Sequence, residues 1–311
     1  MSSSDQGDQE IKVSPLHWLA PRVTISSEAV RWSCLLEATS PKSGNVSPGV
    51  SFSDLCYLDF VTAANVAAEA FEKHRQFARA IFEAAKITAE LCRTNVNLGI
   101  LLLLGPLVAA DELLSQRNVT SPSTEDWLEA IEQVLSTMEQ EDQQLIFQAI
   151  AIANAGGLGE VDQWDVNQTH ERVDLLAAMA DAAKRGDRVA LQYQSGFSDL
   201  LTEVVPVLLA GIHDAGDVLY GIMQAQVQLL ASSHDSLILR KNDAVTAEQV
   251  RVAASDVRIT DPWQHSRLDQ SLRTGGGHHL NPGTTADLIA AALYVLLRNM
   301  PEARGGSREA E

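Results

Sequence analysis

The pattern that builds β-sheets is nearly missing from this chain. Aromatic residues make up 5% of its 311 residues, and no apolar–polar alternation runs beyond a few positions, which excludes a sandwich or a barrel. Cysteine is sparse. Cys34, Cys56 and Cys92 stand far apart, with no C-x-x-C pair and no zinc spacing, so they build neither a disulfide scaffold nor a zinc fold. Widely spaced thiols fit a reducing compartment. Positive charge is also short. The net charge of −18 excludes nucleic acid and an anionic membrane surface as partners. An anionic ligand would need a local basic cluster or a bound cation. No apolar run reaches the ~20 residues of a bilayer-spanning helix. The most apolar, residues 98–110, contains Gly105 and Pro106 and reads as a buried helix. Residues 1–10 are polar and acidic, unlike a signal peptide. A soluble, cytoplasmic protein is expected.

What is present is helical periodicity, in a chain 45% apolar. Helices are expected over 28–38, 55–73, 75–92, 98–110 and 145–153, the last ending at Gly156-Gly157, and over 200–210 and 218–230. Trp127, Ile131, Val134 and Met138 form an apolar stripe behind Ser123 and Thr124 as caps, and Val173, Leu176 and Met179 mark a further helix. Thr246 with Gln249 fits a capping box before 250–254. The fold expected is all-α, a single globular domain of about ten helices over 14–301, with tails at 1–13 and 302–311. Long loops are expected at 112–124, 155–170 and 257–283, the last with a Gly-rich stretch at 274–277.

Five polar segments interrupt this pattern. Asn281-Pro282-Gly283-Thr284-Thr285-Ala286-Asp287-Leu288 puts a rigid turn, two hydroxyls and a carboxylate before the apolar run 288–297. Thr284 or Thr285 can cap that helix, Asp287 then falls in its first turn, and uncapped N–H groups there favour an anion. Glu37 shares a helix face with Val30 and Cys34 and precedes Pro41-Lys42-Ser43-Gly44-Asn45-Val46. A carboxylate on an apolar helix needs a partner. Either Lys42 pairs with it to close the helix, or Glu37 meets a metal or ribose beside a phosphate-binding Lys42. Ser51-Phe52-Ser53-Asp54 leads to Asp59-Phe60. Asp54 suits a capped first turn, whereas Asp59 lies inside an apolar stretch. Thr94-Asn95-Val96-Asn97-Leu98-Gly99 opens the most apolar helix; its amides serve as caps alone or as caps and ligand contacts, with Gly99 allowing close approach. In the last segment, from His234-Asp235-Ser236 to Arg240-Lys241, the basic pair suits either a polyphosphate with its magnesium or a helix C-terminus. His234 is expected at the surface, and the adjacent His278 and His279 are not expected to form a metal site.

Together, in this order, the five segments resemble the triphosphoribosyl-dephospho-CoA synthase family over residues 32–297. The wording is similar to an archaeal-type branch: Ser43 and Val96 stand where members serving citrate lyase and malonate decarboxylase usually have proline and threonine, and an Asn-Gly-x-His stretch of those members is missing around 51–54. The resemblance implies an all-helical cytosolic transferase that cleaves the N-glycosidic bond of ATP, releases adenine and passes the triphosphoribosyl group to a hydroxyl of 3′-dephospho-CoA. Clustered carboxylates would repel one another and a triphosphate without a divalent cation between them, so Mg²⁺ is the cofactor expected. Glu37, Asp59, Asp235 and Asp287 would be the catalytic and metal-holding carboxylates, with Glu37 or Asp59 at the anomeric carbon and Asp235 or Asp287 as base. Lys42, Arg240 and Lys241 would neutralise the triphosphate, Asn45, Asn97 and Asn281 would orient the ribose, and Asn95 and Thr284 complete the binding set. Two alternatives stand beside this: the same transfer to another acceptor in a pterin or one-carbon cofactor pathway, and a helical nucleotide-binding module without catalysis.

Overall fold

The computed structural model describes residues 14–153, 174–258, 261–274, 280–301 and 303. Among them there is no strand, only one bridge between Ser47 and Val50. The all-α expectation holds, with more helices than the ten expected: α1 (Ser26–Thr39), α2 (Tyr57–Lys73), α3 (Phe77–Cys92), α4 (Leu98–Gln116), α5 (Thr124–Ser136), α6 (Gln140–Ile152), α7 (Leu175–Lys184), α8 (Arg188–Ser195), α9 (Val205–Ala215), α10 (Val218–Ser232), α11 (Ser236–Lys241), α12 (Ala244–Ser255), α13 (Pro262–Leu272) and α14 (Gly283–Arg298). A 3-10 turn (His17–Arg22) precedes them, and a π-helical turn (Leu200–Val204) leads into α9.

The additional helices are short or polar, which weakens the apolar period that reveals a helix. Helix α13 lies inside the loop expected at 257–283. Asp261 caps it, accepting from the Trp263 N–H at 3.0 Å, and Pro262 occupies its first turn. Helix α4 runs on to Gln116, into the loop expected at 112–124. Helix α12 is capped by Asp243, which accepts from the Thr246 N–H at 2.7 Å, so Thr246 is not the cap expected. Ser123 does cap α5. The expected loop at 155–170, Gly156-Gly157, Val173, most of the Gly-rich stretch, His278, His279 and residues 1–13 lie outside the described residues.

Helices α4 and α14 form the axis. At 19 residues α4 is long and apolar enough to cross a bilayer, unlike the shorter run expected, yet 72% of its apolar window is buried in the protein, where it packs against α3, α5 and α14. Helix α14 is buried along nearly its whole length. At its far end Arg298 donates to Asp111 at 2.7 Å, to the Val23 carbonyl at 2.6 Å and to the Ala303 carbonyl at 3.0 Å. Ala303 is fully buried, so the core takes in a residue expected in the tail at 302–311. A smaller core of Val227, Leu230, Ile238, Val250, Leu268 and Leu272 joins α10 to α13.

Pro106 stands inside α4. Having no N–H, it leaves the Leu102 carbonyl without its helical donor. The Tyr193 hydroxyl, buried on α8, donates to that carbonyl at 2.7 Å. A defect in α4 thus anchors α8, and with it the loop before α8. Replacing Tyr193 by Phe leaves a buried carbonyl unsatisfied. It should lower unfolding free energy by about 1–3 kcal/mol, read from urea titrations of the helical circular-dichroism signal; no loss would mean that the carbonyl is satisfied otherwise.

Candidate active site

All five polar segments reach one cavity of about 450 Å³, within the range of roughly 300–1,000 Å³ usual for small-molecule sites. The N-terminal ends of α4 and α14 open onto it, through Leu98, Gly99 and Ile100 from one and Gly283 and Thr284 from the other. Glu37, Asp54, Asp187 and Asp287 supply its carboxylates, and Arg240 and Lys241 its cations.

Glu37 lies in the last turn of α1 and is 3% exposed. Lys42, 1% exposed, folds back from the following turn, pairs with Glu37 Oε1 at 2.9 Å and donates to the Glu37 carbonyl. Glu37 Oε2 is buried and has no hydrogen-bond partner among the described residues. An orphaned carboxylate oxygen on a cavity wall is costly unless a ligand meets it. The ion pair expected between Lys42 and Glu37 forms, and it leaves the second Glu37 oxygen facing the cavity wall. Lys42, expected at a phosphate, is spent on this pair and does not line the cavity. Burial first, and then the Glu37 carboxylate, push the neighbouring Cys34 thiol up to about 12, so this thiol is a packing group.

Asp287 sits half-buried on α14, facing α4. Gly99 makes room for it, since a Cβ at position 99 would collide with the Asp287 carboxylate. Burial, then repulsion from Glu37 and Asp235, hold its carboxyl well above the ordinary range, against an opposing pull from Arg240 and with a smaller push from Asp187. A carboxyl near other carboxylates in a dry wall is the arrangement that makes a base effective near neutral pH.

Asp235 plays another part than the one expected. Its Oδ1 accepts from the Leu237 and Ile238 N–H groups at 2.9 and 3.1 Å, capping α11, and its Oδ2 accepts from the Thr285 N–H and hydroxyl at 2.7 and 2.8 Å. With both oxygens engaged and outside the cavity wall, it is neither base nor metal ligand. It also displaces the threonines as caps of α14: Thr285 donates to Asp235, and Thr284 accepts from the Ser236 hydroxyl at 3.0 Å. Asp59, not Asp54, takes the first-turn position. Asp59 accepts from the Cys56 N–H at 2.7 Å in the capping box of α2 and does not line the cavity, whereas Asp54 is exposed at the wall.

Asn95 lines the cavity and also accepts from the Leu98 N–H at 3.1 Å. Asn97 lies behind the wall and donates to the Ala63 carbonyl at 3.4 Å, so it is not a ribose contact. Asn45, Asn281 and Thr284 line the cavity as expected. Arg240 pairs with Asp187 at 3.4 Å, and Asp187 caps α8 by accepting from the Val189 and Ala190 N–H groups. Burial, then Arg240, draw the Lys241 ammonium below its ordinary value, while Asp54 and Asp235 oppose this. His234 pairs with Glu248 at 2.8 Å, away from the wall. Sequence reasoning missed Asp187, whose Arg185-Gly186-Asp187-Arg188 setting resembles any polar turn, and Gln226, a fully buried amide that the apolar period of α10 conceals. The expected cluster of four metal-holding carboxylates is not formed: among the described residues no three His, Cys, Asp or Glu side chains gather closely enough to hold a metal ion.

Raised by folding, the Asp287 pKa makes this carboxyl favour the folded state fully below its unfolded value of about 3.9, and that contribution is lost as pH rises toward the folded value. Asp287→Asn should therefore raise the melting temperature in nucleotide-free buffer with EDTA at pH 8, with the gain shrinking to nothing near pH 4. A gain largest at pH 4 would contradict the assignment.

The fold is shared with a crystal structure of a protein from Archaeoglobus fulgidus assigned as a triphosphoribosyl-dephospho-CoA synthase: TM-score 0.59, 22% identity, covering 77% of this chain and 99% of that one. Curated protein sequences yield no match. A family model for ATP:dephospho-CoA triphosphoribosyl transferase matches residues 25–305, which takes in every segment that reaches the cavity. The chain belongs to the ATP:dephospho-CoA triphosphoribosyl transferase family.

Proposed function

We propose that the protein transfers the triphosphoribosyl group of ATP to a hydroxyl of 3′-dephospho-CoA, releasing adenine, as a soluble cytoplasmic enzyme. Family membership supports the reaction. The observation that carries the site assignment is the pairing, in one cavity, of the orphaned Glu37 oxygen with Asp287, beside Arg240 and Lys241.

The bond from ribose C1′ to adenine N9 breaks with its electron pair going to adenine, and the ribose passes through an oxocarbenium-like state. Glu37 Oε2, held on a rigid ion pair, stabilises the positive charge at C1′ without reorganising. The acceptor oxygen bonds to C1′, its proton passes to Asp287, and the proton is returned to the departing adenine. Arg240 and Lys241 hold the triphosphate, and Asn45, Asn95 and Asn281 orient the nucleotide. A magnesium ion bound with ATP would offset the triphosphate charge. Magnesium sites commonly use one or two carboxylates together with substrate phosphates. Asp54, exposed on the wall and close enough to Lys241 to influence its charge, is the carboxylate that would hold it.

Chromatography of free adenine from ATP, with magnesium and dephospho-CoA, tests this. The wild type should release adenine in step with acceptor consumption. Glu37→Gln and Asp287→Ala should each lose about a hundredfold or more with an unchanged helical signal. Asp59→Ala should stay within about tenfold of wild type while losing about 1 kcal/mol of stability as a capping variant. Adenine release that survives both Glu37→Gln and Asp287→Ala would remove these residues from the mechanism.

A further inference from the structure

A chain of amides runs from the smaller core into the cavity, and the backbone fixes its polarity at one end. Gln226 on α10 is fully buried. Its Oε1 accepts from the Ser43 N–H at 2.8 Å, and its Nε2 donates to the Ser43 carbonyl at 2.8 Å and to Asn45 Oδ1 at 2.7 Å. The two ends of an amide side chain are often interchangeable on density alone. Here they are not, because a backbone N–H only donates and a backbone carbonyl only accepts. Reversing Gln226 would oppose donor to donor and acceptor to acceptor in a buried site, where each unmatched group costs free energy. Asn45 must then turn its oxygen to Gln226 and its NH₂ outward, where it donates to Asn281 Oδ1 at 2.6 Å.

Asn281 is the end of the relay. It is 8% exposed and lines the cavity. With Oδ1 engaged, its NH₂ is the group left for a ligand, and it finds no acceptor among the described residues. The loop that carries the relay is held from outside as well. The Gly44 N–H donates to Asp269 at 2.8 Å, and Arg273 bonds both Asp269 and the Asn45 carbonyl. Gly44 takes a left-handed φ of +72°, and a Cβ there would stand 2.9 Å from the Leu272 side chain. The loop therefore has one conformation, and the amides have one orientation.

We infer that Gln226 is a positioning residue: through Asn45 it holds Asn281 as an obligate donor to an acceptor oxygen of the nucleotide, on the ribose or on a phosphate. This rests on the proposed binding of ATP in the cavity. Gln226→Glu keeps the size and removes the donor. Asn45 then turns its NH₂ toward the new carboxylate, and Asn281 turns inward and presents its oxygen to the ligand. KM and Kd for ATP should rise about tenfold with kcat within about threefold of wild type. In an Asn281→Ala background, where the donor is already gone, adding Gln226→Glu should change KM by less than about twofold. If Gln226→Glu fails to fold by circular dichroism, Asn45→Asp reverses the relay one link later, and the same non-additivity is expected.

Titration calorimetry with ATP and with inorganic tripolyphosphate separates the two oxygen sources. Weakening of both assigns the contact to phosphate, and weakening of ATP alone assigns it to ribose. An equal rise of KM in both backgrounds, or no rise, overturns the relay. Weakened ATP binding with no adenine released by the wild type keeps the relay and removes the transferase. Adenine release by the Gln226→Glu variant at wild-type KM keeps the transferase and overturns the relay.

Discussion

A carboxylate that the fold satisfies on one side only governs this site. Glu37 is buried at the end of α1, and the ammonium of Lys42 takes one of its oxygens. The other oxygen has no partner among the described residues. Breaking such a pair is expensive in a dry interior, so the lysine fixes the geometry of the free oxygen. The fold tolerates an unmatched charge where a ligand can meet it. Asp287 adds to this tension from α14, its carboxyl raised by burial and by Glu37. In the proposed mechanism these two mutually repelling carboxylates meet a positively charged reacting carbon and a proton.

The surrounding structure isolates that tension. Asp235 caps α11 and ties down the first turn of α14 with the same side chain, so the N-terminus carrying Asp287 is anchored by a group that does not itself enter the cavity. The lone Cβ-free residue at the start of α4, Gly99, lets the two helix ends approach. Tyr193, by satisfying the carbonyl freed by Pro106, fixes α8 on α4 and so places Asp187 beside Arg240. Two cations stand at the cavity of an acidic protein, where the long-range charge of −18 is screened within about 10 Å at ordinary salt; the proposed triphosphate would meet them there.

Much of this was legible in the sequence, and the parts that were not share a cause. Apolar periodicity located the long helices, but α8 and α13 are polar enough to hide, and the Asp261-Pro262 start of α13 was available as a signal. Composition and order placed the five segments, and they do converge. Roles within a segment were harder. Asp59 drew attention by its apolar neighbours and proved to be the third residue of a capping box, while Asp54, which suited a capped first turn, lines the wall. Asp235 and Thr285 lie 50 residues apart, and no local pattern foretells a cap supplied across that distance. Gln226 sits in a run that periodicity marks as core, and only the partner positions, Ser43 and Asn45, reveal why a buried amide belongs there.

A crystal structure of the Asp287→Asn variant with ATP, magnesium and dephospho-CoA would locate the reacting atoms. Ribose C1′ should lie between Glu37 Oε2 and position 287, with the triphosphate against Arg240 and Lys241 and an acceptor oxygen within reach of C1′. A nucleotide bound with its ribose away from Glu37, or with its phosphates on another face, would contradict the mechanism derived from these carboxylates.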